Sequence, residues 1–123
     1  MSTIELTAKT FDKVISDNDF VVIDFWAEWC GPCRKFGPVF ERVSEKHDEI
    51  VFAKVDTEAQ QELAQAFEIT SIPTLMIVRE NIAVFRQPGA LPEAALDDLI
   101  NQVRNLDMNE VRASVAAAQQ SKH

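Results

Sequence analysis

The run Phe20-Val21-Val22-Ile23-Asp24-Phe25-Trp26-Ala27 constrains this chain more than any other segment. Side chains of a strand alternate between two faces, and here both faces are apolar. Such a strand has no side to give to water, so the pattern predicts a central strand covered by helices on each side rather than an edge strand. One carboxylate, Asp24, interrupts it. The run is far short of the roughly 18 residues of a membrane helix, so no membrane association is expected. Directly after it the turn Glu28-Trp29-Cys30-Gly31 leads to Pro32, a residue suited to the first position of a helix. That helix would bury Phe36, Val39, Phe40 and Val43 along one stripe, with a kink at Pro38.

The flanking segments extend the same α/β alternation. Ile4 to Leu6 reads as a short strand, and Thr7 as the cap of a helix carrying Phe11, Val14 and Ile15. Ile50 to Val55 reads as a second buried strand and Thr57 to Phe67 as a helix packing Leu63, Ala66 and Phe67. After the turn signal Thr70-Ser71-Ile72-Pro73-Thr74, Leu75 to Val78 and Ala83 to Arg86 form a hairpin about Glu80-Asn81-Ile82, a turn without the usual glycine. Gly89 to Leu91 then leads, with Pro92 near the first turn, to a helix facing inward through Leu96, Leu99, Ile100, Val103 and Leu106. The order β-α-β-α-β-α-β-β-α predicts a mixed central sheet of about five strands with helices on both faces. Asp107-Met108-Asn109-Glu110 has capping-box spacing ahead of Val111, Val115 and Ala118, which predicts a short extra helix. Its apolar stripe is thin, and a helix of about a dozen residues is marginal alone, so it must dock or fray. Residues 1–106 are thus expected to form one domain and residues 107–123 a helical extension.

With 123 residues the chain can bury roughly two-thirds of its unfolded surface and needs no disulfide or metal to fold. Its two cysteines are therefore free for chemistry. Twelve basic against 20 acidic side chains, a net charge of -8, and no basic run disfavour nucleic acid as a partner. The N-terminal residues lack both the basic start and the apolar middle of a secretory signal, which reads as cytoplasmic, or as a mature form already trimmed.

Cys30 and Cys33 are spaced Cys-x-x-Cys at the expected helix start, where unpaired N–H groups and the helix dipole stabilise a thiolate. Cys30 is placed to be the nucleophile. Cys33, about one turn inward, is near enough to attack a mixed disulfide on Cys30 and release the substrate reduced. Two other readings of the pair are a structural bridge and half of a zinc site. So short a loop removes little unfolded-state entropy, and the remaining strong zinc ligands are only His47 and His123. The Phe36 and Phe40 stripe, and Trp26, are read as core.

Trp29-Cys30-Gly31-Pro32-Cys33, with Val22 to Glu28 before it, closely resembles the active-site segment of the thioredoxin family. The likeness continues through Pro38, Ala53-Lys54-Val55-Asp56, Ile72-Pro73-Thr74-Leu75 and Gly89-Ala90-Leu91, and covers residues 1 to about 106. It implies the thioredoxin fold and a reversible dithiol/disulfide, with Cys30 attacking and Cys33 resolving. It further implies that Asp24 is the buried carboxylate that moves the proton of Cys33. The other reading of Asp24 is a simple pairing with Lys54, whose matching family position lies nearby, so Lys54 joins the candidate catalytic set. By the same resemblance Pro73 is a cis-proline exposing the backbone of Ile72, and Trp29, Gly31, Pro32, Ile72, Pro73, Gly89 and Ala90 form a client-docking surface.

The implied function is protein-disulfide reduction and electron transport in cell redox homeostasis. No bound cofactor or metal is expected; electrons would come from NADPH through a thioredoxin reductase. Disulfide-containing clients would be the other partners, with a further partner for the 107–123 helix. Rival readings are a disulfide isomerase or oxidant, and a thioredoxin-like binding module that tethers a chaperone or enzyme. Gly31-Pro32 between the cysteines, with no His there, and the missing signal argue for the reductase. Departures from the family pattern are Ile82 after Asn81, Pro88 before Gly89, and the extension.

Overall fold

The computed structural model describes residues 2–120; Met1 and residues 121–123, with the candidate ligand His123, lie outside the described residues. The elements run β1 (Thr3–Glu5), α1 (Phe11–Asp17), β2 (Phe20–Trp26), α2 (Gly31–Ser44), β3 (Val51–Asp56), α3 (Gln61–Ala66), β4 (Thr74–Arg79), β5 (Ile82–Pro88), α4 (Glu93–Arg104) and α5 (Met108–Gln120). The five strands form one mixed sheet in the order β1-β3-β2-β4-β5. β3 pairs parallel with β1 and β2, whereas β4 pairs antiparallel with β2 and β5. The expected α/β sheet of five strands with helices on both faces is therefore present, and β2 lies at its centre.

The apolar side chains on both faces of β2 find their reason in two cores. Val22 joins Phe36, Phe40 and Val43 of α2 and Leu96, Ile100 and Val103 of α4 on one face. Val21, Ile23 and Phe25 face Leu63 of α3 on the other, with Phe11, Val14 and Ile15 of α1 packed against them. Full burial of each such side chain contributes about 1.5–3 kcal/mol, which is why β2 tolerates so few polar atoms. The same alternation places Asp24 beside Val22, and Lys54 beside Phe52, on the face that α2 and α4 cover.

Several expected boundaries move, each for a local reason. α1 begins at Phe11, not Thr7: the Thr7 backbone N–H donates to Thr10 Oγ1 at 3.1 Å, and residues 7–10 close a turn instead of a helical cap. α3 begins four residues after Thr57, because Asp56 Oδ1 accepts from the N–H groups of Glu58 and Ala59 and so holds a turn there. The hairpin turn is Glu80-Asn81 alone, since Ile82 pairs with Arg79. Both turn residues have positive φ, 51° and 69°, as a two-residue turn of this hand requires. The Glu80 N–H donates to Asp19 at 2.9 Å, and its carboxylate meets Arg79 and Arg112, which holds this non-glycine turn in place.

α4 stops at Arg104, so Leu106 faces outward at 39% exposure rather than continuing the inner stripe. α5 then starts as its capping spacing predicts, with Asp107 Oδ1 accepting from the N–H groups of Asn109 and Glu110. Its first residue, Met108, is buried, and Val111 is half-buried. α2 runs through Pro38 as one continuous helix.

Candidate active site at the start of helix α2

β2 ends where the chain must turn sharply into α2. The Trp26 carbonyl accepts from both the N–H and the hydroxyl of Thr57, at 2.9 and 3.0 Å, fastening the end of β2 beside β3. The Cys30 N–H then donates to Ala27 at 3.2 Å, and Cys30 becomes the N-cap of α2, with Gly31 and Pro32 in its first turn. The Cys33 backbone N–H donates to Cys30 Sγ at 3.2 Å. Cys30 sulfur thus occupies the position where a capping oxygen usually sits, and a thiolate there is favoured by the donor and by the helix dipole.

Cys30 and Cys33 are joined as a disulfide, with Cα atoms 5.2 Å apart, and each is only 4% exposed. They are nonetheless unequal. Cys30 lines an open groove of about 370 Å³ together with Trp29, Gly31, Pro32, Thr57, Ile69, Thr70, Ser71 and Ile72, whereas Cys33 does not. Cys30 Sγ lies 3.6 Å from the Ile72 carbonyl oxygen, to which its reduced thiol can donate. The Ile72-Pro73 bond is cis.

Of the expected docking residues, Trp29, Gly31, Pro32 and Ile72 share this groove. Trp29 is 65% exposed, and its indole N–H donates to Glu58 Oε1 at 2.7 Å. Pro73, Gly89 and Ala90 do not line the groove. Pro73 is instead tied to Gly89, whose N–H donates to the Pro73 carbonyl at 2.8 Å. Gly89 has φ of 103°, a conformation that a side chain would strain, and Ala90 beside it is exposed. Sequence reasoning did not pick out Thr57, Ile69, Thr70 or Ser71 as lining residues. The turn signal at 70–74 covers only Thr70 and Ser71, and it carries no information about what the turn faces.

Asp24 is fully buried and neither carboxylate oxygen has a hydrogen-bond partner. Burial pushes its carboxyl up to about 7, while the charge of Lys54 pulls the other way. Asp24 and Lys54 stand opposite each other in the register of β2 and β3. They form no direct ion pair: the Lys54 ammonium sits over the Trp26 ring, 4.7 Å from its centroid. The proton affinity of Asp24 thus lies near neutral pH.

His47 lies on the segment after α2, between Asp97 (Nε2 to Oδ1, 3.1 Å) and Arg104 (Nη2 to Nδ1, 2.7 Å). Its ring is committed to the α2–α4 contact. Among the described residues no group of three His, Cys, Asp or Glu side chains could hold a metal ion.

The family described as Thioredoxin matches residues 2–102. A thioredoxin of Streptomyces coelicolor is 68% identical over 118 residues, covering 96% of this chain and 88% of that protein. A bifunctional thioredoxin reductase/thioredoxin of Mycobacterium leprae is 43% identical over 108 residues, 85% of this chain but 24% of that protein. Among solved structures, a mutant thioredoxin from Halobacterium salinarum superimposes with a TM-score of 0.77 at 37% identity, covering 85% of this chain and 92% of the other. The oxidised thioredoxin of Plasmodium falciparum gives 0.74 at 36% identity, covering 84% and 98%. A sulfur-capped helix start, a buried carboxylate without a partner and these likenesses along most of the chain have one common account: the protein belongs to the thioredoxin family.

Proposed function

We propose that this chain is a thiol-disulfide oxidoreductase that reduces protein disulfides and carries electrons between proteins. The observation that carries the reading is Cys30 Sγ at the N-terminus of α2, opening onto a mostly apolar groove beside the Ile72 carbonyl. In the reduced protein the Cys30 thiolate attacks one sulfur of a client disulfide. A Cys30–client bond forms, the client S–S bond breaks and one client thiolate leaves. Cys33 gives up its proton, with Asp24 as the buried acceptor, and attacks Cys30 Sγ. The second client thiolate leaves, the Cys30–Cys33 disulfide forms, and two electrons have passed to the client.

Trp29, Gly31, Pro32 and Ile72 receive an extended client segment, with Pro73, Gly89 and Ala90 extending that surface. Lys54 acts on Asp24 through its charge. Residues 1–106 constitute the redox domain and residues 107–123 an extension that adds a partner contact. A thioredoxin reductase returns the pair to its dithiol form with electrons from NADPH, and no cofactor binds this chain itself. The Mycobacterium leprae relative, named for both activities in one polypeptide, supports such a partnership. The protein works in the cytoplasm, in cell redox homeostasis; no helix of the described residues is long and apolar enough to cross a membrane.

The test is the equilibrium potential of the Cys30/Cys33 pair against glutathione, with Cys30→Ser and Cys33→Ser as controls. A value near about -270 mV, the one known for thioredoxin, supports a reductase. One near about -180 to -120 mV belongs to an isomerase or oxidant and would overturn the reading. Function retained in a chain lacking both cysteines would instead mean a tethering module.

A further inference from the structure

Among the described residues, two of the four large apolar side chains left exposed, Leu106 at 39% and Val115 at 36%, lie together, on the α4–α5 connection and on α5. They line a second open groove, of about 420 Å³, with Ile82, Ala83 and Val84 of β5 and Asp107, Glu110, Val111 and Ser114. None of these residues belongs to the catalytic groove. Ile82 and Val84 both line it, with the β4–β5 register shifting by one residue at Val84, while Val111, Ser114 and Val115 follow i, i+3, i+4 spacing along α5. The groove is thus walled by side chains of β5 and by a ridge of α5, between which the side chains of a second helix can pack.

Its charge narrows the occupant. Among the described residues Asp107 and Glu110 line it, no basic side chain does, and Glu110 has no ion-pair partner. The nearby base, Arg112, is already engaged by Glu80 and Asn109. A second copy on this face would set Asp107 and Glu110 against their own equivalents, in a chain whose net charge is -8. We infer that the β5–α5 groove docks an amphipathic helical segment of a protein partner, apolar on one face and flanked by Lys or Arg. This surface is separate from disulfide exchange and gives the protein a means of selecting a partner independently of the Cys30 groove.

The probe is a peptide of about 18 residues with Leu at i, i+3, i+4 and i+7 positions and Lys elsewhere, alongside a twin with Glu in place of Lys. It is titrated into the full-length ¹⁵N-labelled protein. Amide shifts confined to residues 82–84 and 106–115, absent with the Glu twin, are expected. The exposed changes Leu106→Ser and Val115→Ser together should raise the Kd about tenfold or more, and Glu110→Gln by a smaller factor. All these variants should reduce disulfides at the parent rate. Shifts spread over the acidic surface, equal binding of the Glu twin, or affinity unmoved by Leu106→Ser/Val115→Ser would overturn the inference. So would a dimer in sedimentation equilibrium that this double variant dissolves, because the groove's occupant would then be a second copy.

Discussion

Asp24 and Lys54 face each other across the parallel pairing of β2 and β3, yet the ammonium leans over Trp26 and leaves both carboxylate oxygens without a partner. The carboxyl is therefore governed by burial first and by the Lys54 charge second, and it titrates at about 7 instead of 3.8.

Asp24 makes stability fall as the pH rises. The unfolded chain loses this proton near 3.8 and the folded one near about 7, so between those values the folded state holds more protons. Stability present below the lower value is lost progressively up to the higher one. At about 1.4 kcal/mol per pH unit the interval corresponds to roughly 4 kcal/mol. Asp24→Asn should remove this slope, so the difference in urea unfolding free energy between variant and parent should move in the variant's favour from pH 4 to pH 8. Parallel profiles would show that Asp24 is not protonated at neutral pH. The same variant should reduce disulfides more slowly near pH 7, and an unchanged rate across the pH range would remove Asp24 from the proton path.

Lys54→Met deletes the positive charge that holds the Asp24 carboxyl down. The expected outcome is a further rise of that carboxyl, read directly as the pH at which its protonated C=O stretch disappears in infrared difference spectra. The pH profile of client reduction should shift to the alkaline side with it. A stretch that titrates at the parent pH would mean that Lys54 packs against Trp26 without acting on Asp24.

Glu58→Ala frees the Trp29 indole N–H from its 2.7 Å acceptor. Because Trp29 is 65% exposed, unfolding free energy should change by no more than about 0.5 kcal/mol. Client reduction should slow while the equilibrium potential stays fixed, since the change touches docking and not the sulfur pair. A shifted potential would place Glu58 in the redox chemistry itself.

Gly89→Ala puts a side chain at φ of 103°, although its Cβ would meet nothing within 4 Å. Backbone strain alone should then cost about 1–2 kcal/mol in urea unfolding. The rate with protein clients should fall more than that with a small aromatic disulfide, because the Gly89 N–H fastens the loop to Pro73. Equal loss with both substrates would separate this loop from client docking.

Much of the fold was legible because it depends on local signals. Phe20 to Trp26 reads as a doubly covered strand from its composition, and Pro32, Phe36, Phe40 and Val43 read as one helix with a buried stripe. Asp107 announces α5 through an interaction that spans three residues. What misled were ends settled by contacts distant in sequence or by competing turns. α3 starts late because the Asp56 side chain captures the N–H groups that a helix at Thr57 would use. Leu106 follows helical spacing but comes after α4 has stopped at Arg104, whose carbonyl and that of Val103 are capped by Arg79 from β4.

The sequence by itself determined the chemistry: two thiols one helical turn apart at a helix start, and a carboxylate in a strand with no polar face. These follow from spacing and periodicity, which are properties of a chain segment. Only the tertiary structure decided what lies against Cys30, what presses on Asp24, and where an apolar surface is left open. Ile72 reaches Cys30 across 42 positions of chain, Lys54 reaches the Asp24 strand through sheet register, and Ile82 joins Val115 only when α5 packs beside β5. Such encounters are set by how sheet and helices share two cores, and burial and charge take their values from the encounter.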